Sequence, residues 1–126
     1  MEPLVLVVDD SKTIRMTISK MLRDIGIANL EAPTGDEALE ILQENPHIKL
    51  VLADYNMPDL NGIEMVNRIK KDQNLKHISC VMVTSIGVGA EKLLKSAKEA
   101  GVVAWLTKPV NKRQLESLVE KLGVNS

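Results

Sequence analysis

Asp54 ends the apolar run Leu50-Val51-Leu52-Ala53, and Pro58 closes off regular structure soon after it. A lone aspartate in such a place is ordinarily a turn residue or a helix cap. Three other apolar runs also stop at reactive side chains. Leu4–Val8 stops at Asp9-Asp10, Cys80–Val83 at Thr84-Ser85, and Val102–Leu106 at Thr107-Lys108-Pro109. Singly, each has a plain reading: Asp9 and Asp10 as helix caps, Thr84 as a β-branched strand residue, Lys108 as a counter-ion. Four strands that all end this way point to one assembled site.

Three clustered carboxylates need a reason. At ~5–6 Å and an effective dielectric near ~20, each ionised pair costs about 3 kcal/mol. Three pairs cost on the order of 9 kcal/mol, comparable with the whole stability of a domain. The cluster therefore calls for a cation, a shared proton or a function. All-oxygen ligands suit a hard divalent cation, and Mg²⁺ keeps several waters while using few carboxylates. Such a set can transfer a phosphoryl group. A carboxylate serves as nucleophile, and the metal bridges nucleophile and phosphoryl oxygens. Lys108, Thr84 and nearby backbone N–H groups offset charge on the equatorial oxygens. There is no P-loop and no GxGxxG, so nucleotide binding has no support. Neither His47 nor His77 has a partner at metal-ligand spacing, and no Ser/His/Asp arrangement stands out.

The elements that must position these residues follow from periodicity. Leu4–Val8 lacks polar alternation, which predicts a strand covered on both faces. Ile14, Ile18, Met21, Leu22 and Ile25 predict an amphipathic helix closed by Gly26. Ile27–Ala32, broken by Asn29 and Glu31, reads as an edge strand. Thr34 and Glu37 have capping-box spacing before a short helix that stops ahead of Pro46. After the central strand and the Pro58–Gly62 loop, Asn61 and Glu64 open a third helix, and a polar connection spans Asp72–His77. Ile78–Val83 is the fourth strand, and Gly87-Val88-Gly89 a flexible joint. A helix follows with Leu93, Leu94, Ala97 and Ala100 inward and Lys92, Lys95 and Lys98 outward. Val102–Leu106 is the fifth strand, and Asn111 and Gln114 start the last helix. Strict alternation of this kind argues an α/β domain with a mostly parallel sheet and right-handed crossovers. Ligands in open parallel sheets bind beyond the carboxyl ends of the strands, which places Asp9, Asp10, Asp54, Thr84, Ser85 and Lys108 at one rim.

Composition sets the frame. The 126 residues suffice for one domain, expected to be 1–126, with a proper core. A net charge of −1 gives no reason to expect nucleic acid as a partner. The single cysteine, Cys80, excludes an internal disulfide, reads as a core residue, and fits a reducing, cytoplasmic setting. No apolar run reaches the ~20 residues of a membrane span, so no membrane insertion is expected.

Val8-Asp9-Asp10-Ser11, Ala53-Asp54-Tyr55-Asn56-Met57-Pro58-Asp59-Leu60-Asn61-Gly62, Val83-Thr84-Ser85 and Thr107-Lys108-Pro109, in that order, resemble the signature of bacterial response-regulator receiver domains, CheY-like in size. The likeness runs from Leu4 to about Leu122. It implies a doubly wound, flavodoxin-like (βα)5 fold with strand order 2-1-3-4-5, which CheY exemplifies. It implies that Asp54 is the phosphoacceptor. Asp10, Asp54 and the main-chain carbonyl of Asn56 would hold Mg²⁺, with Asp9 acting mainly through water. Lys108 would pair with the phosphoryl group, Thr84 would hydrogen-bond it, and Lys108-Pro109 would be cis. Trp105 stands where the family usually has Tyr or Phe as its switch aromatic, and the Gly87–Gly89 loop is slightly long.

The function so implied is a two-component response regulator, with chemotaxis one possible pathway. It would be charged by a histidine kinase or phosphotransfer protein and would act on an output protein at the face of the fourth helix, fifth strand and fifth helix. It would be no enzyme beyond its own phosphorylation and dephosphorylation. Met1 and the short polar tail favour a stand-alone regulator over a receiver excised from a larger one. A small Mg²⁺-dependent phosphohydrolase would need a second carboxylate two residues after the nucleophile. That position is Asn56, which cannot protonate a leaving group.

Overall fold

The computed structural model describes residues 2–85 and 91–124. Five strands alternate with five helices: β1 (Val5–Val8), α1 (Lys12–Asp24), β2 (Asn29–Ala32), α2 (Gly35–Glu44), β3 (Leu50–Ala53), α3 (Gly62–Lys71), β4 (Ser79–Thr84), α4 (Glu91–Ala100), β5 (Val102–Thr107) and α5 (Lys112–Lys121). All neighbouring strands pair in parallel, in the order β2-β1-β3-β4-β5. The α/β fold and its strand order are as expected. The Gly87–Gly89 joint lies outside the described residues.

Burial explains the unbroken apolar strands. Every residue of β1 and β3 is buried, because helices cover both sheet faces. Leu6, Val8, Val51, Ala53 and Cys80 face the layer of α2, α3 and α4. Val5, Val7, Leu50, Leu52, Val81 and Val83 face α1 and α5. Asp9, Asp54 and Lys108 continue the parity of Val5/Val7, Leu50/Leu52 and Ala104/Leu106, so all three emerge on the α1–α5 side. β2 is an edge strand, as its mixed composition implied, and β5 is the other edge. Pairing between β4 and β5 steps from Cys80–Val102 to Val81–Ala104, leaving Val103 as an extra, 55% exposed residue. Such a bulge disrupts an edge that would otherwise invite strand pairing.

Local signals end the helices where expected. Gly26 and Gly101 follow α1 and α4 with φ of 84° and 112°, a region open to glycine. Asn61–Glu64 and Asn111–Gln114 form full capping boxes. At Thr34 and Glu37 only the Thr34 half forms. The next two N–H groups, of Gly35 and Asp36, donate instead to the Asp59 carboxylate at 3.1 and 2.7 Å. Two expectations need correction. Leu75, inside the polar 72–77 connection, is buried beneath the helices. Leu94 is 41% exposed and Leu93 only half-buried, so Ala97 and Ala100 make the inner contact of α4. Small residues there bring that helix close to its neighbours and leave Leu94 stranded at the rim of the stripe.

Candidate functional site

The carboxyl ends of β1, β3 and β5 meet at one point. Asp9 follows β1, Asp54 follows β3 and Lys108 follows β5. β1 and β3 are neighbours paired Val8 to Ala53, and the Asp54 N–H donates to the Val8 carbonyl at 2.9 Å. That register sets Asp54 level with Asp9. Lys108 Nζ donates to Asp9 Oδ2 at 2.7 Å and lies 3.3 Å from Asp54 Oδ2. Its own N–H donates to the Thr84 carbonyl at 3.1 Å, which fixes the start of the β5–α5 turn against β4. The Lys108-Pro109 bond is cis. Thr84 is buried at the end of β4, while Ser85 and Asn56 are exposed.

The electrostatics follow from this geometry. Burial pushes the Asp54 carboxyl above the ordinary range. Lys108 pulls it back, Asp9 pushes it up again, and an Asn56 N–H hydrogen bond lowers it, with a net rise. For Lys108, burial disfavours the charge, yet the hydrogen bond to Asp9 and the field of Asp54 outweigh it, so the ammonium is held above its usual pKa. Lys108 is therefore a reliable cation at neutral pH.

The residues fit a divalent metal. One oxygen from each of Asp9, Asp10 and Asp54 lies within 4.8 Å of the others. Three carboxylates against one ammonium leave two formal negative charges, and every donor is a hard oxygen. Asp9 already accepts at both oxygens, from the Ser11 N–H at 2.9 Å and from Lys108. Asp10 is exposed, beside the buried Asp54.

Ser11 decides between the plain and the chemical reading of Asp9-Asp10. It is the N-cap of α1, accepting from the Ile14 N–H at 3.3 Å, so neither aspartate has to cap that helix. Two residues near the site were not anticipated. Arg15 donates from Nη1 to the Asp9 carbonyl at 2.6 Å and pairs through Nε with Glu31 at 3.4 Å. Its signal in the sequence was a cation between Ile14 and Ile18, at the margin of the apolar stripe. Asp59 ties the loop after Asp54 to α2, aided by Leu60, which packs on Gly35. A groove of about 310 Å³ opens beside the cluster, bounded by Thr13, Ile14, Thr17, Ser85, Lys108 and Pro109 among others. A second, of about 200 Å³, lies between α4 and β5 and includes Leu94, Val103 and the half-buried Trp105.

The chain is similar to known proteins along nearly its whole length. The family model described as response regulator receiver domain matches residues 5–120. The chemotaxis protein CheY1 of Helicobacter pylori is 38% identical over 122 residues, covering 95% of this chain and 97% of that protein. A chemotaxis protein CheY homolog of Campylobacter jejuni is 37% identical over 96% of this chain and 93% of its own length. Among solved structures, the chemotaxis protein CheY4 of Vibrio cholerae superposes with a TM-score of 0.86 at 30% identity, over 97% of this chain and 99% of that one. A response regulator receiver domain protein from Clostridium thermocellum gives 0.85 at 30% identity, over 95% and 93%. With its acidic cluster at the carboxyl ends of a 2-1-3-4-5 sheet, this chain belongs to the response-regulator receiver-domain family, the CheY-like phospho-accepting regulators of two-component signalling.

Proposed function

We infer that Asp54 accepts a phosphoryl group from a histidine kinase or phosphotransfer protein, and that the modified chain then changes its affinity for an output protein. The observation that carries this reading is Asp54 itself. It is a buried carboxylate at the end of the central strand, with Lys108 Nζ at 3.3 Å and two more carboxylates beside it. Residues 1–126 are read as one receiver unit working in the cytoplasm, where such phosphodonors are made. It acts as a regulator, and its only chemistry is on its own aspartate.

An Asp54 oxygen attacks the phosphorus of the donor phosphohistidine. The O–P bond forms as the P–N bond breaks, and the leaving imidazole nitrogen keeps the electron pair and is protonated from solvent. Asp10 and Asp54 would hold Mg²⁺ through their carboxylates, Asn56 through its main-chain carbonyl, and Asp9 through water. When bound, the metal would supply positive charge that offsets the negative charge of the carboxylates and of the incoming phosphoryl group. Lys108, already protonated and poised over Asp54, pairs with a phosphoryl oxygen. The Thr84 hydroxyl hydrogen-bonds another. The groove beside Lys108 gives the donor a way in.

The output face is α4, β5 and α5. Its exposed Lys92, Lys95, Lys112 and Arg113 suit an acidic partner, and Trp105 lies within it. No described helix is long and apolar enough to cross a membrane. Incubation with Mg²⁺ and acetyl phosphate should add one phosphoryl unit (~80 Da) to the intact mass, and Asp54→Asn should abolish the addition. Phosphorylation that survives the substitution would refute the assignment.

A further inference from the structure

The turn from β1 into α1 carries two of the three carboxylates, and its backbone is gripped by a side chain outside the acidic set. Arg15 lies one turn into α1, with its side chain 13% exposed. Its Nη1 donates to the Asp9 main-chain carbonyl at 2.6 Å, and its Nε faces the Glu31 carboxylate of β2 at 3.4 Å. The Asp9 N–H donates to the Ala32 carbonyl at 3.1 Å, one residue beyond Glu31. Asp9 therefore meets the edge strand twice, directly through its own N–H and, at the carbonyl of the Asp9–Asp10 peptide, through the Arg15–Glu31 ion pair.

That peptide's orientation decides where the Asp10 carboxylate points. Asp9 is fixed independently, by the Ser11 N–H and by Lys108. Asp10 is exposed, and the backbone that carries it contributes to where its carboxylate points. We propose that Arg15 is a positioning residue of the metal site: paired ionically with Glu31 at 3.4 Å, it holds the Asp9 carbonyl by a hydrogen bond and so helps aim the Asp10 carboxylate at the cation shared with Asp54. The proposal rests on the reading of the acidic cluster as a Mg²⁺ site.

Charge and position make opposite demands here. If Arg15 were only a nearby cation, its removal would strengthen Mg²⁺ binding, because a positive neighbour repels the ion. As a positioning residue, its removal weakens binding. Groups that orient metal ligands typically change metal affinity by about 10- to 100-fold when mutated.

The experiment is isothermal titration of Mg²⁺ into the unphosphorylated full chain, with thermal melts in EDTA to follow the fold separately. Arg15→Gln should weaken Mg²⁺ affinity by about 10-fold while the melt stays cooperative. Arg15→Lys, which keeps the charge and one donor, should recover part of the affinity. Equal or tighter binding in Arg15→Gln overturns the proposal. If Arg15→Gln does not fold, Arg15→Lys decides in its place: weaker binding than the unaltered chain supports the proposal, and equal binding overturns it. Failure of the unaltered chain to bind Mg²⁺ defeats the metal reading itself, and the proposal falls with it. Binding by the unaltered chain with no loss in the variants defeats this proposal alone.

Discussion

Lys108 sits closer to Asp9 than to Asp54: its ammonium is 2.7 Å from the first carboxylate and 3.3 Å from the second. The two side chains of the tighter pair are 99 residues apart in the chain. Asp9 thus holds the cation in place, and Asp54 borrows it.

Lys108→Ala should remove that cation and leave Asp9 and Asp54 facing each other. The expected loss is on the order of 3 kcal/mol in metal-free melts at pH 7, at the low end for breaking a buried pair. Mg²⁺ should bind more tightly to the variant and recover part of the loss. A variant that melts like the unaltered chain in EDTA would show that the pair contributes nothing to the fold.

Asp10→Ala should behave in the opposite way. It deletes one of three crowded charges, so metal-free stability should hold or rise by up to a few kcal/mol. Mg²⁺ affinity should fall. A large drop in the EDTA melting temperature would instead mark Asp10 as a structural cap, a role that the Ser11 cap leaves it without.

Asp59 gives the fold a pH dependence. Desolvation slightly opposes its charge, but N–H donors from Asp36, Leu60 and Gly35 outweigh this and lower its pKa. A carboxylate depressed in the folded state stabilises fully above its unfolded pKa of about 3.9. The contribution fades as pH falls through the lower, folded value. Asp59→Ala should therefore cost about 0.5–1 kcal/mol near pH 7, as for loss of an exposed helix cap, and less as the pH drops below ~4. Urea melts at several pH values test this; a gap that widens in acid would reverse the sign.

Gly62 and Gly35 should differ in tolerance. A Cβ on Gly62 would lie 2.6 Å from the Asp54 carbonyl oxygen and 2.5 Å from Met82 Cε. Backbone cannot yield cheaply, so Gly62→Ala should destabilise by about 1–3 kcal/mol and slow phosphorylation by acetyl phosphate. On Gly35 the nearest atom is Leu60 Cγ at 2.8 Å, a side-chain atom rather than backbone. Gly35→Ala should be the milder change in both melts and phosphorylation rate, and the reverse order would show that the loop, not Leu60, gives way.

Trp105 should report phosphorylation. It pairs with Met82, two residues before Thr84 in register, and lines the α4–β5 groove. Movement of Thr84 toward a phosphoryl group would change the space next to the indole. Mg²⁺ with beryllofluoride should shift Trp105 emission and acrylamide quenching, with no shift in Asp54→Asn and a smaller one in Thr84→Ala. Unchanged fluorescence alongside full phosphorylation by mass would place the switch elsewhere.

The sequence by itself determined the five strand–helix units, the β2 edge of the sheet and most helix ends. Apolar runs, helical spacing and caps such as Asn61 and Asn111 are local, and their physics acts within a few residues. It also placed Asp9, Asp10, Asp54, Thr84 and Lys108 at one rim, because parallel strands bring their carboxyl ends together. The strand order came only from family resemblance, since periodicity does not say which strand pairs with which. Tertiary structure alone decided that Lys108 grips Asp9 more closely than Asp54, that Arg15 holds the Asp9 carbonyl, and that the remote Asp59 carboxylate takes the Gly35 and Asp36 N–H groups at the start of α2. It also left Leu94 exposed where its spacing predicted burial. Each of these depends on the distance between elements remote in the chain, and that distance is set by how side chains of particular size pack between helices and sheet.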